Sequence, residues 1–311
     1  MKNLNRSWTR TVKRTLGLLA LPMLMTACNN EEEFTGKDKS LQVSVSTVTA
    51  RVESRAIVNG SQLPAGSSIG VTLVNMDGTA YDGVGFNNLP YTAAGTGSSQ
   101  TWSGSDISLS TTFGKAIAYH PYINGATGLQ VPIETASQAD YMYSGWVEYL
   151  YNGAYKAGFN MKHAMTDIQF VVKSGTYTGP AELKSITVES PFFATSAVMS
   201  IEDGTLSSVS GTGADLAASF DESEISAEGF VHDFLTIPDA TVASGELKII
   251  VEIGTRKFVS VVAVSEAFKQ GMTYQYNLSL HNTGMTLESA GVVDWSYPET
   301  DTTGNMTEVT E

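Results

Sequence analysis

The feature that most constrains this chain is a period-two alternation of apolar and polar residues in short segments bounded by turn-forming residues. Ile168, Phe170 and Val172 alternate with Gln169 and Val171. Leu247, Ile249, Val251 and Ile253 alternate with Lys248, Ile250 and Glu252, and Tyr274, Tyr276, Leu278 and Leu280 with Gln275, Asn277, Ser279 and His281. Period two sends successive side chains to opposite faces, so each segment reads as a strand with one buried face. No stretch sustains helical periodicity beyond a turn or two at 136–142 and 264–270. Strands separated by short polar turns, at about 8–12-residue spacing, build sandwiches or barrels. The reading is all-β: two antiparallel β-sandwiches meeting near residues 160–164, spanning 41–162 and 163–297, with no internal repeat of fixed period.

Further segments fill in this outline. Leu41, Val43 and Val45 point one way, and Val48, Ala50 and Val52 continue after a one-residue slip near Thr47, as in a long bulged strand. Ile69–Leu73 alternates and Asn75-Met-Asp-Gly78 turns it. Phe113–Tyr119 and Leu129–Ile133 are further strands, the second an edge because Pro132 cannot donate to a ladder. The Gly/Ser/Thr tract 94–105 reads as a loop. Gly254–Lys257 reads as a turn into Phe258–Val264, which is apolar on both sides and therefore central.

The N-terminus carries an address. Residues 1–27 hold Lys2, Arg6, Arg10, Lys13 and Arg14 and no acid, then the apolar run Leu16–Met25 and Thr26-Ala27 before Cys28. This is a secretory signal pattern, and the run is too short for a bilayer span of about 20 residues. Cys28 is the single cysteine of 311 residues, and its surroundings resemble a bacterial lipobox, in which the thiol is acylated and becomes the new N-terminus. Met25 stands where leucine is usual, with Leu24 one place back. Residues 28–40 form an acidic polar tether. The acids after Cys28 also resemble a signal that sends lipoproteins to the outer face of the cell.

Removing residues 1–27 takes the formal net charge from -14 to -19. So acidic a chain repels nucleic acid and anionic membrane, leaving the lipid to hold it at the outer membrane. With 42% hydrophobic and 16% charged residues the remainder suits apolar cores, not a disordered chain.

A family resemblance rests on several segments in order. They are a long strand ending in Ser54-Arg-Ala56, then Leu63–Val71, Ala118-Tyr-His-Pro-Tyr122, Asp140–Tyr143, Phe159–Val171, Gly271–Leu280 and Val293-Asp-Trp295. Together with the lipobox they resemble a fimbrillin over roughly residues 41–297. The resemblance implies two tandem transthyretin-like sandwiches and a structural or adhesive role in a surface pilus. It implies partners among other fimbrial subunits. It also implies that an arginine-specific protease removes Leu41–Val52 by cutting after Arg55 or Arg51, so that another subunit's strand takes the vacated place. Equally, Leu41–Val52 reads as the permanent first strand of a monomeric sandwich. Residues 298–311 form a polar tail with Met306 and Val309 as its aliphatic residues, a composition ill suited to donating a strand.

Signals of chemistry are sparse. Gly66-Ser67-Ser68-Ile69-Gly70 matches G-x-S-x-G, but Pro64-Ala65 precede it and a strand follows, so Ser68 reads as a turn residue. His120, His163, His232 and His281 are too far apart for a local metal motif, and the acids suggest no glycosidase pair. The expectation is no enzyme, no metal and no cofactor. Tyr141, Tyr143, Trp146, Tyr149, Tyr151 and Tyr155 offer faces that suit stacking on sugars, although two-residue spacing also suits packing on a sheet. The second functional reading is thus a monomeric surface lipoprotein that binds a host or bacterial glycan through Tyr141–Tyr155. Asp301-Thr302-Thr303 resembles a short O-glycosylation motif.

Overall fold

Strand follows strand with short connections through the computed structural model, which describes residues 40–47, 62–110, 112–149, 156–242, 244–294 and 304–309. Cys28, Arg51, Arg55, the slip near Thr47, Tyr151 and Tyr155 lie outside these residues. The first strands are β1 (Gln42–Thr47), β2 (Ser68–Asn75), β3 (Phe86–Ala94), β4 (Thr101–Gly104), β5 (Gly114–His120), β6 (Gln130–Glu134), β7 (Met142–Tyr143), β8 (Val147–Tyr149) and β9 (Lys156–His163). A second run comprises β10 (Thr166–Lys173), β11 (Glu182–Glu189), β12 (Phe193–Ala194), β13 (Ser196–Ser200), β14 (Leu206–Ser210), β15 (Leu216–Glu224) and β16 (Phe230–Pro238). It continues with β17 (Gly245–Ile253), β18 (Arg256–Val264), β19 (Met272–His281), β20 (Gly284–Asp294), β21 (Gly304–Asn305) and β22 (Thr307–Val309). Among the described residues the only helical element is a single 3-10 turn at Gly97–Ser99.

The first sheet runs β1-β9-β7-β5-β2-β3-β4, with β8 also on β5. Its ends approach each other, β1 lying against β4, so the sheet curls around Ile69, Val71, Phe159, Met161 and their neighbours. Two further sheets face one another across a second core. One runs β12-β16-β10-β19-β20-β21 and the other β15-β11-β17-β18-β22. Phe170 and Tyr276 from the first stack at 5.5 Å, and Phe258, Val251 and Ile249 come from the second. Each large apolar side chain withdrawn from water here contributes about 1.5–3 kcal/mol.

A third core joins what lies before and after residue 163. β6 pairs with β13, and Val131 and Ile133 pack with Tyr119, Met165, Met199, Leu235 and Ile237. β6 forms the edge of its three-stranded sheet, as Pro132 requires.

Two expectations are corrected. The tract 94–105 is not all loop: β3 runs to Ala94 and β4 pairs back on it, with Trp102 packed on the N-terminal core. Phe258–Val264 is not central. β18 pairs along its whole length with β17, but on its other side only Lys257–Val259 pair, with β22. Its inward face is Phe258 and Ser260, while Val261 is 54% exposed. A serine inside and a valine outside hide the true alternation.

Residues 304–309 lie within the polar tail and bridge the two facing sheets. Gly304–Asn305 pair with β20 and Thr307–Val309 with β18, while Met306 between them is buried in the second core. The Met306 N–H donates to Met285 O at 3.0 Å. Met306→Ala is expected to cost about 2 kcal/mol, near the low end for a buried methionine, read by urea unfolding.

Candidate assembly site and the polar junction

β1 is a strand on the edge of its sheet, and β9 is its seat. The two pair in parallel, Gln42 opposite Lys156 through Thr47 opposite Met161. Parallel pairing is slightly weaker per residue than antiparallel, and among the described residues the other flank is bound just before β1 begins. There Leu41 N–H donates to Ile107 O at 2.9 Å and Ser40 bridges Ser108. Leu41 and Val45 are buried and Val43 half-buried, while Gln42, Ser44 and Ser46 face solvent. Beneath them β9 presents Ala157, Phe159 and Met161, and Leu63, Ile107 and Leu109 complete the floor. Burying Leu41, Val45 and half of Val43 contributes roughly 5 kcal/mol. The strand is therefore firmly seated, and among the described residues β9 without it keeps only its pairing with β7 at Lys162 and His163.

The glycan residues do not converge on an open face among the described side chains. Tyr141 is buried in the third core at 5% exposure and offers no face to a sugar. Tyr143 and Trp146 pack against the same core half-buried. The Trp146 indole N–H donates to Glu202 at 2.6 Å, and Lys115 Nζ lies 4.5 Å from the indole centroid. Gly204, at φ +80°, lets the Tyr143 ring approach, since a Cβ there would collide with it. These contacts spend the aromatic faces on packing. In β8 the Tyr149 backbone pairs with Gly114 of β5.

Ser68 opens β2 after a tight turn in which Ser67 N–H donates to Pro64 O at 3.1 Å and Gly66 takes φ +86°. Its carbonyl meets His120 Nδ1 at 2.8 Å. No strained strand-to-helix elbow forms, so the serine has a structural place.

Sequence reasoning named none of the partners in a buried polar junction. His163 ends β9, with Nδ1 3.0 Å from Asp140 Oδ1 and 2.9 Å from Oδ2. An ionised carboxylate only accepts, so Nδ1 carries the proton. At the residue after His163, Ala164 O accepts from Gln270 Nε2 at 2.8 Å; the same Nε2 donates to Gly204 O at 2.9 Å, and Thr166 Oγ1 donates to Lys269 O at 2.8 Å. Asp167 is buried beside this junction. Its Oδ2 accepts from Thr273 Oγ1 at 3.0 Å, and its Oδ1 has no hydrogen-bond partner among the described residues.

Burial first, and the Asp233 charge second, hold the Asp167 carboxyl well above the usual range. In the unfolded chain it ionises near 3.8. The folded chain keeps the proton to higher pH, so stability falls as pH rises from about 3.8 through the folded value and is level beyond it. Burial pushes His120 the other way, costing stability as pH drops below about 6.5. Asp167→Asn keeps an acceptor for Thr273 and removes the first titration. It is expected to be more stable than wild type at pH 7, with the difference shrinking toward pH 3.5, in urea titrations at both pH values.

The geometry is that of a seated edge strand on β9 and a buried polar joint at the end of β9. The sequence matches the fimbrillin-like family over residues 54–295. The chain belongs to that family. Among curated proteins none matches it. Among solved structures, a candidate cell adhesion protein of Bacteroides uniformis ATCC 8492 superposes with a TM-score of 0.63 at 20% identity, covering 84% of this chain and 100% of the other. A candidate cell adhesion protein of Bacteroides ovatus ATCC 8483 gives 0.58 at 18% identity over 84% and 99%. A fimbrial protein of Bacteroides vulgatus ATCC 8482 gives 0.51 at 15% identity over 83% and 99%. At these identities the likeness is one of fold: this fimbrillin-like chain shares its all-β architecture with all three.

Proposed function

We propose that this fimbrillin-like chain is a surface-exposed lipoprotein subunit of a fimbria that joins its neighbours by strand exchange at the seat of β1. The observation that carries the reading is the seat itself. An edge strand with alternating apolar side chains lies on β9, and in sequence it precedes the two arginines at which cutting would free it. Losing it would open a groove floored by Phe159, Met161 and Leu63 beside the unpaired backbone of β9. An incoming strand that satisfies both would be held by backbone hydrogen bonds and by side chains in alternate pockets.

The rest of the proposal follows the chain. Residues 1–27 direct export, Cys28 carries the lipid to the outer membrane, and 28–40 form the tether. Residues 41–162 and 163–297 correspond to the two tandem transthyretin-like sandwiches of the family, connected through the polar junction. The tail pairs at 304–309 with its own β18 and β20. It therefore stays at home, and the chain accepts a strand rather than donating one. Adhesive contacts to glycans or proteins would belong to the assembled fimbria. An arginine-specific protease should nick the chain after Arg55 or Arg51 and, with a donor subunit present, yield assemblies in sedimentation velocity. A chain that resists cutting there and stays monomeric would contradict the role.

A further inference from the structure

The two facing sheets are open along one side, at a place unrelated to the seat of β1. Among the described residues β15 is the last strand of its sheet, paired only with β11. Across the gap, β16 pairs with β10 along Phe230–Thr236, but on its outer side β12 reaches only Ile237 and Pro238. The next position outward is filled by a side chain. Gln138 Oε1 accepts from Leu235 N–H at 2.8 Å and its Nε2 donates to Leu235 O at 2.9 Å, the pair of bonds a neighbouring strand would make. The ladder between β10 and β16 has no register shift, so alternate residues face the same way. Leu235 and Ile237 face outward, and Val231 and Asp233 do so too, with no backbone partner on that side among the described residues.

Between the two strand edges lies a cavity of about 1020 Å³. Phe220 of β15 meets Phe230 and His232 of β16 edge-on, both at 4.9 Å, and His232 meets Phe234 at 4.5 Å. Its charged lining residues are Asp215, Asp221 and Asp233, with no lysine or arginine. Burial holds His232 below the usual histidine range, so it adds little positive charge at neutral pH. An aromatic floor, an acidic rim and a free backbone edge describe a seat for a strand.

We propose that the β15–β16 groove binds an extended, cationic peptide segment of another protein. The segment adds to the outer edge of β16 at Val231 and Asp233, inserts alternate aliphatic side chains against Phe220 and His232, and sets lysine or arginine against the three aspartates. Charge argues against a second copy of this chain as occupant, since two chains of formal charge -19 after signal removal repel. The Gln138 amide marks where the added strand ends.

The probes are a nine-residue peptide alternating valine with lysine and threonine, and its counterpart with glutamate for each lysine. They are titrated into the isotope-labelled mature chain. The cationic peptide is expected to bind about tenfold more tightly or better than the acidic one. It is also expected to slow amide exchange at Val231 and Asp233 about tenfold. Val231→Pro, which removes a donor at an edge position where proline is tolerated, should abolish binding. Asp221→Lys, at an exposed position, should erase the preference for the cationic peptide while leaving the melting temperature unchanged. Failure of the cationic peptide to bind, equal binding of both, protection centred on β9 or β18 instead, or indifference to both substitutions would overturn the proposal. So would concentration-dependent self-association that protects Val231 without peptide, which would make a second copy the occupant.

Discussion

A chain that begins at Ala56, the product of cleavage after Arg55, is expected to melt about 10–20 °C below the full mature chain. The figure follows from roughly 5 kcal/mol of lost burial at Leu41, Val43 and Val45 and about 2–4 °C per kcal/mol for a domain of this size. The chain should still fold, because every strand from β2 onward keeps its partners in the sheet order except β9, which loses β1 and keeps β7 at Lys162 and His163. Adding a synthetic peptide of residues 40–52 should restore most of the difference in calorimetry, since a ligand of the native state alone raises its stability by mass action. A truncated chain as stable as the full one would mean that β1 contributes nothing to its seat.

The second large effect lies at the polar junction. Asp140→Ala is expected to cost about 3–5 kcal/mol, because it removes one partner of a buried pair and leaves the His163 Nδ1–H without its acceptor. Replacing both residues together by apolar ones of similar volume should cost less than Asp140→Ala alone. That ordering, read from guanidinium unfolding of single and double variants, separates pairing from mere packing. A double variant worse than Asp140→Ala would show that each side chain has its main role elsewhere.

Much of this architecture was legible in the sequence, and the parts that were not share a physical cause. Strands with a clean polar and apolar face, such as β10, β17 and β19, announce themselves by period two. So do turns whose residues supply the needed backbone, as where Gly78 N–H donates to Asn75 O at 2.9 Å. Pairings made at long range leave little local trace. β22 is too short and too polar to show a period, and its place is decided by β18 and by the seat of Met306. β4 follows a glycine-rich turn and is called into the sheet by Trp102, not by alternation.

The sites divide in the same way. Leu41, Val43 and Val45 were readable as one face of an edge strand. The pairing of Asp140 with His163 joins residues 23 apart whose spacing carries no motif. The groove between β15 and β16 was hidden because openness belongs to the arrangement of sheets. One signal was present: a glutamine, Gln138, in a turn between strands, which here completes a β16 edge that no strand covers. In the aromatic tract Tyr143 and Tyr149 fall in short strands, while Tyr141 and Trp146 are held by the third core and by Glu202.

The central claim, that assembly requires β1 to leave β9, is tested most directly by a reversible lock. Ser46 and Asn160 are paired across the two strands with both side chains exposed. Neighbouring strands lie about 4.8 Å apart, within the Cα separation a disulfide spans. In a chain with Cys28→Ser, cysteines at these two positions should close a bond that holds β1 even after cleavage at Arg55. The account predicts no assemblies from the oxidised, cleaved chain mixed with a donor subunit, and assemblies once a reductant opens the lock. Assembly proceeding equally well with the lock closed would contradict it.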